Sequence, residues 1–116
     1  MHASPPDGLE ISTTDTLARH ERGEIELVDI REPYEVEAGR IAGARHIELG
    51  SLATRAPELD ATRPVVFYCR LGARSAMAAQ AFRGAGYDAW SMAGGLEAWA
   101  RQALPLEPED GSVAPH

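Results

Sequence analysis

Along this chain of 116 residues the spacing of apolar positions changes abruptly at one place. Pro64-Val65-Val66-Phe67-Tyr68 is a short unbroken apolar run, rich in β-branched and aromatic residues, which is the pattern of a strand buried on both faces. Ala78, Ala81, Phe82 and Ala85 then fall at i, i+3, i+4 and i+7, with Gly84 and Gly86 to stop them, so a helix is predicted from about Arg74 to Ala85. The seam between the two patterns is Cys69-Arg70-Leu71-Gly72-Ala73-Arg74-Ser75. It sets the only cysteine at the carboxyl end of a central strand, just ahead of a helix N-terminus.

The same reading extends over the rest of the chain. Leu9-Glu10-Ile11 alternates as a short strand would, and Ser12 with Asp15 resembles a capping box for a helix to about Arg22, with Leu17 and Ala18 as its buried residues. Glu26-Leu27-Val28-Asp29-Ile30 predicts a second strand, and Pro33 starts a short helix across which Arg31 and Glu35 are spaced to pair. Gly39 and Gly43 read as turn residues, Arg45-His46-Ile47 as an extended piece, and Leu49 to Leu59 as a helix. Tyr87 to Met92 predicts the last strand, broken by Gly94-Gly95. Leu96, Trp99, Ala100 and Ala103 mark one face of a closing helix that Pro105 ends. Alternating strands and helices imply an α/β fold with a parallel sheet and helices on both faces. Residues 1–8 are expected to be a flexible tail, 9–104 the domain, and 105–116 an acidic flexible tail.

Composition narrows the function. A net charge of -7 and the lack of any basic run argue against a nucleic-acid partner. No apolar run approaches the length of a membrane span, and the opening residues lack the pattern of a signal peptide, so a cytoplasmic location and no membrane partner are expected. One cysteine leaves no resolving thiol, internal disulfide or multi-cysteine zinc site. His2, His20, His46 and His116 show no ligand spacing and read as structural or solvated.

The seam has the chemistry of an anion cradle. Unpaired N–H groups and the positive dipole end of a helix favour an anion, and thiols so placed are favoured as thiolates. Arg70 and Arg74 add fixed charges, and Gly72 permits the turn that points successive N–H groups at one centre. Cys69 is therefore read as a nucleophile in preference to an inert core cysteine. Ser75 is either a donor to the sulfur or a helix cap. Asp29, at the end of its strand, either orients Arg31 and the loop or caps the next turn. Arg40 is either part of an anion-attracting rim or solvated.

Cys69-x-x-Gly72-x-Arg74-Ser75, with Asp29-Ile30-Arg31-Glu32-Pro33-x-Glu35 and Gly39-x-Ile41-x-Gly43-Ala44 upstream and Gly94-Gly95-Leu96-x-x-Trp99 downstream, resembles a single-domain rhodanese from about Leu9 to Leu104. The chain departs from that pattern at Arg40 and Ala42, where rhodaneses commonly carry histidine and proline. The resemblance implies a three-layer α/β/α sandwich around a five-stranded parallel sheet. It also implies sulfur transfer from thiosulfate or a related small donor, through a Cys69 persulfide, to cyanide, a thiol or a partner protein, with no metal or organic cofactor. Cys69 would be the catalytic residue. Arg70, Leu71, Gly72, Ala73, Arg74 and Ser75 would hold the substrate and persulfide, with Asp29 and Arg31 in support. A monomer is expected. The alternatives are a non-catalytic binding module of the same fold and a phosphatase or arsenate reductase of the cysteine-arginine type. Those enzymes resemble Cys-x5-Arg, whereas Cys69 to Arg74 is one residue shorter.

Overall fold

The computed structural model describes residues 8–116, so of the expected tail 1–8 only Gly8 falls within it. Five strands form one parallel sheet: β1 (Glu10–Ile11), β2 (Glu26–Asp29), β3 (Arg45–His46), β4 (Val65–Tyr68) and β5 (Ala89–Met92), in the order β1-β5-β4-β2-β3. The helices are α1 (Thr13–Glu21), α2 (Pro33–Ala38), α3 (Leu52–Arg55), α4 (Ala73–Gly84) and α5 (Gly95–Arg101). β4 is central, paired with β2 on one side and β5 on the other, with Asp29 opposite Tyr68 and Phe67 opposite Ser91.

The continuous apolar run of β4 is explained by its two faces. Val65, Phe67 and Cys69 join Ala78, Ala79 and Phe82 of α4 in one cluster, while Val66 and Tyr68 join Leu96 and Trp99 of α5 in the other. All four strand residues are completely buried. Burying such a side chain contributes about 1.5–3 kcal/mol, so this strand is a main source of stability and a rigid base for the loop that follows.

Elsewhere the structure departs from expectation for local reasons. In α1 the fully buried residues are Thr13 and Thr16, not Leu17 and Ala18, which are half-buried. The threonines are accommodated by bonds from Thr16 Oγ1 to the Ser12 carbonyl at 2.8 Å and from Thr13 Oγ1 to Gln102 Oε1 at 2.7 Å. The stretch Leu49–Leu59 is not one helix. Pro57 lies in a separate short 3₁₀ turn, Ala56–Glu58, and another, Leu49–Ser51, precedes α3. α5 stops at Arg101 because Ala103 takes the left-handed conformation, φ 55°.

The largest departure is at residues 105–116, which lie on the body as a strap instead of extending as a flexible tail. Leu106 and Val113 pack against the α5-side cluster, and the Trp99 indole donates to the Pro105 carbonyl at 2.7 Å. Arg40 and Glu107 exchange both backbone hydrogen bonds, at 3.0 and 2.7 Å. The strap then follows α2 from its carboxyl to its amino end: Ser112 N–H donates to the Ala38 carbonyl at 2.8 Å, the Tyr34 hydroxyl to the Pro115 carbonyl at 2.9 Å, and His116 meets Glu32. Gly39 makes the close approach possible, since a Cβ there would lie 2.4 Å from the Ser112 carbonyl oxygen. Acidic composition alone misread this segment because its few apolar residues are spaced to match a seam on the body and not a helix or strand period.

Candidate active site

β4 ends at Tyr68, and Cys69 follows at the base of the turn into α4, only 1% exposed. Gly72 sits just before α4 with φ 110°, a conformation that glycine adopts without strain, and its N–H donates to Cys69 Sγ at 3.1 Å. Ser75 Oγ lies 3.5 Å from the sulfur, donates to the Gly72 carbonyl at 3.1 Å and meets Ser91 Oγ of β5 at 2.8 Å. Ser75 thus touches the sulfur and braces the first turn of the helix from within, but it is not the helix cap, a position held by Gly72.

The loop is gripped from behind. The first turn of α5 donates Leu96 N–H to the Cys69 carbonyl at 2.9 Å and Glu97 N–H to the Arg70 carbonyl at 3.0 Å. A Cβ on Gly95 would sit 2.5 Å from both of those carbonyl oxygens. Gly94-Gly95 therefore does more than break a strand, because it lets one helix end hold the loop while another helix end faces the sulfur.

Above Cys69 opens a shallow cavity of about 120 Å³ lined by Arg70, Leu71, Ala73, Arg74 and His116. It adjoins a larger one of about 310 Å³ containing Ile30, Glu32, Glu48 and Leu49, and Arg74 and His116 border both. Leu71 is well exposed at the rim.

Both arginines at this mouth stand beside a carboxylate, and so does His116. Arg74 makes a two-pronged pair with Glu35, Nη1 to Oε1 at 2.9 Å and Nη2 to Oε2 at 3.1 Å. Arg70 Nε is 3.5 Å from Glu97 Oε2, and His116 Nε2 is 3.0 Å from Glu32 Oε2. Burial of Glu35 opposes its charge, but the Arg74 guanidinium and the Glu32 N–H outweigh burial and hold its pKa below the ordinary value. The bond to Glu35 in turn raises the pKa of Arg74.

The expected pairing of Arg31 with the Glu35 side chain does not occur. Arg31, fully buried, pairs with Asp29 instead, Nε to Oδ1 at 2.8 Å and Nη2 to Oδ2 at 2.7 Å, and reaches only the backbone carbonyl of Glu35, at 3.2 Å, besides that of Gly39 at 2.8 Å. Asp29 also accepts the Arg31 N–H at 3.1 Å, so it both orients Arg31 and closes the turn. Burial of Arg31 works against its charge, yet Asp29 holds its pKa above the usual value. Spacing of four residues suggested the Arg31–Glu35 pair. α2 begins only after Arg31, at Pro33, so the two side chains never share a helical face.

The rhodanese-like domain family model matches residues 12–102. The chain belongs to the rhodanese-like domain family. It is 40% identical over 86 residues to a sulfurtransferase of Allochromatium vinosum, covering 73% of this chain and 80% of that one. It is 39% identical over 107 residues to an HTH-type transcriptional regulator of Mycobacterium tuberculosis, covering 90% of this chain but 46% of the regulator, so it spans about half the length of that relative. A rhodanese-related protein from Thermoplasma volcanium superposes with TM-score 0.78 at 25% identity, over 84% of this chain and 95% of that one.

Within the rhodanese-like domain the structure brings Cys69, Arg70, Leu71, Gly72, Ala73, Arg74 and Ser75 together around one cavity or its floor, with Asp29 and Arg31 one layer behind. Arg40 lies apart from the cavity, joined to Glu107 and to the Val36 carbonyl, so it clasps the strap. Glu35, Ser91 and His116 were missed as parts of the site. Glu35 stood in a quoted motif but with another partner, and nothing in the sequence brings Ser91 or His116 near the loop. His20 and His46 do have structural roles, bonding the Ala42 and Arg31 carbonyls at 2.8 and 2.7 Å. No helix among the described residues is long and apolar enough to cross a membrane.

Proposed function

We propose that this rhodanese-like domain is a thiosulfate sulfurtransferase that carries the transferred sulfur on Cys69 as a persulfide. The observation that carries this reading is the placement of Sγ on the floor of an open cavity, accepting the Gly72 N–H at the amino end of α4. The Cys69 thiolate attacks the outer sulfur of thiosulfate. The new bond joins Sγ to that sulfur, the S–S bond of the donor breaks, and its electron pair leaves with sulfite. An acceptor then attacks the outer persulfide sulfur and the thiolate is restored, so ping-pong kinetics are expected.

The N–H groups of Ala73, Arg74 and Ser75 are in the first turn of α4, where helix geometry supplies no backbone acceptor, and with the helix dipole they favour negative charge on the outer sulfur. Arg70 and Arg74 line the approach and offer N–H donors to the donor's oxygens. The protein acts as a cytoplasmic monomer, its cavity open enough for a thiol or a protein to deliver an acceptor to the sulfur.

Intact mass after incubation with thiosulfate and then cyanide, on the wild type and on Cys69→Ser, tests the reading. A gain of one sulfur atom by the wild type alone, removed by cyanide, is the expected result. Equal gain by Cys69→Ser, or none by the wild type with thiosulfate or polysulfide, would overturn it.

A further inference from the structure

We propose that the Glu32–His116 pair is the general base for a thiol acceptor, a role that rests on the persulfide reading above. Through a run of specific contacts along α2 the strap brings His116 to the wall of the same cavity that Cys69 and Arg74 line, and Gly39 is required for the closest approach of the strap. His116 remains 41% exposed in its side chain, so an incoming molecule can reach it.

Its chemistry follows from its neighbours. Glu35 and Glu32 both have carboxylate oxygens within 4.8 Å of the His116 ring nitrogen and of each other. Glu35 is committed to Arg74 and buried, which leaves Glu32 as the carboxylate that orients His116. With Nε2 bonded to a carboxylate, Nε2 carries the proton of the neutral ring, and Nδ1 keeps a lone pair. The other charged or titratable groups lining the two cavities that His116 borders are Arg74 on α4, Arg70 and Cys69 on the loop, and Glu48 in the adjoining cavity.

A neutral thiol is a poor nucleophile, and the second half of the reaction needs its anion. His116 takes the proton from the acceptor R–SH. The sulfur electron pair forms a bond to the outer sulfur of the Cys69 persulfide, the bond from that sulfur to Sγ breaks, and its electrons return to Cys69 as thiolate. The product R–S–S⁻ departs and His116 passes its proton to water. Sulfite, already an anion, needs no such help, and the two acceptors therefore separate the base from the rest of the site.

The test is single-turnover discharge of the thiosulfate-loaded enzyme by glutathione and by sulfite, followed by mass, for wild type and His116→Gln. The glutamine side chain can still donate to Glu32 but cannot accept a proton. At pH 7 the ratio of glutathione to sulfite discharge is expected to fall by about 100-fold in the variant, the lower end of typical general-base effects. Above the thiol's own pKa of about 8.5–9 the deficit should close, because the acceptor is then ionised without assistance. Equal loss with both acceptors, no loss with either, or a deficit that persists at high pH would overturn the assignment. A wild type that takes up no sulfur overturns the sulfurtransferase reading and this role with it.

Discussion

Replacing Arg31 by methionine tests how the site is held in place. The guanidinium is completely buried and its partner Asp29 is 2% exposed in its side chain, so solvent screens neither. Arg31 makes two bonds to Asp29 and one each to the carbonyls of Glu35 and Gly39. Methionine fills much of the volume but leaves the Asp29 carboxylate without a cation, its remaining neighbours being the residue 31 N–H at 3.1 Å and the Tyr68 hydroxyl. Breaking a buried pair from one side costs about 3–5 kcal/mol, a large part of the roughly 5–15 kcal/mol that stabilises a domain. At a urea slope of about 1.5 kcal/mol/M the unfolding midpoint should fall by about 2–3 M, followed by the fluorescence of the buried Trp99. The double variant Asp29→Leu, Arg31→Met removes both charges and should recover all but about 2 kcal/mol of the loss, the remainder reflecting two unsatisfied carbonyls at about 1 kcal/mol each. A cost below about 1 kcal/mol for Arg31→Met, or a double variant less stable than the single one, would refute the argument that this pair is a buried, desolvated hub.

Two further outcomes follow from the same geometry. Because the folded-state pKa of Glu35 is depressed, its contribution to stability is fully present above about pH 4.5 and is lost as pH falls through the lower folded value; Glu35→Gln should flatten that acid limb in urea titrations run between pH 3 and 6. Gly95→Ala would force a Cβ to within 2.5 Å of the Cys69 and Arg70 carbonyl oxygens, so sulfur uptake in the mass assay should fall at least about tenfold while far-UV circular dichroism keeps its native shape; undiminished uptake would show that α5 does not set the loop.

The sequence made the centre of the fold readable because there the local signals agree. The predicted run Pro64–Tyr68 and the helix from Arg74 correspond to β4 (Val65–Tyr68) and α4 (Ala73–Gly84), and Cys69 falls at the seam as expected. Where a side chain's partner is remote, local rules failed. Glu35 finds Arg74 thirty-nine positions away, and Thr13 finds Gln102 eighty-nine away, distances over which neither period nor propensity carries information. The strap failed for a related reason: besides Leu106 and Val113, too few to set a rhythm, its contacts are backbone exchange with Arg40 and the close approach at Gly39, which no apolar pattern records.

The balanced charges at the mouth bear on how a donor arrives. With Arg70 and Arg74 each beside a carboxylate, and Glu32 at the same mouth beside His116, the cavity has little surplus positive charge to draw a dianion across a surface whose net charge is -7. Encounter is then opposed at long range and favoured only at contact, where amides and helix dipole act. Raising ionic strength from about 0.01 to 0.15 M shortens the screening distance from about 30 to 8 Å, so kcat/KM for thiosulfate should rise with salt, the reverse of an enzyme that steers its anion inward.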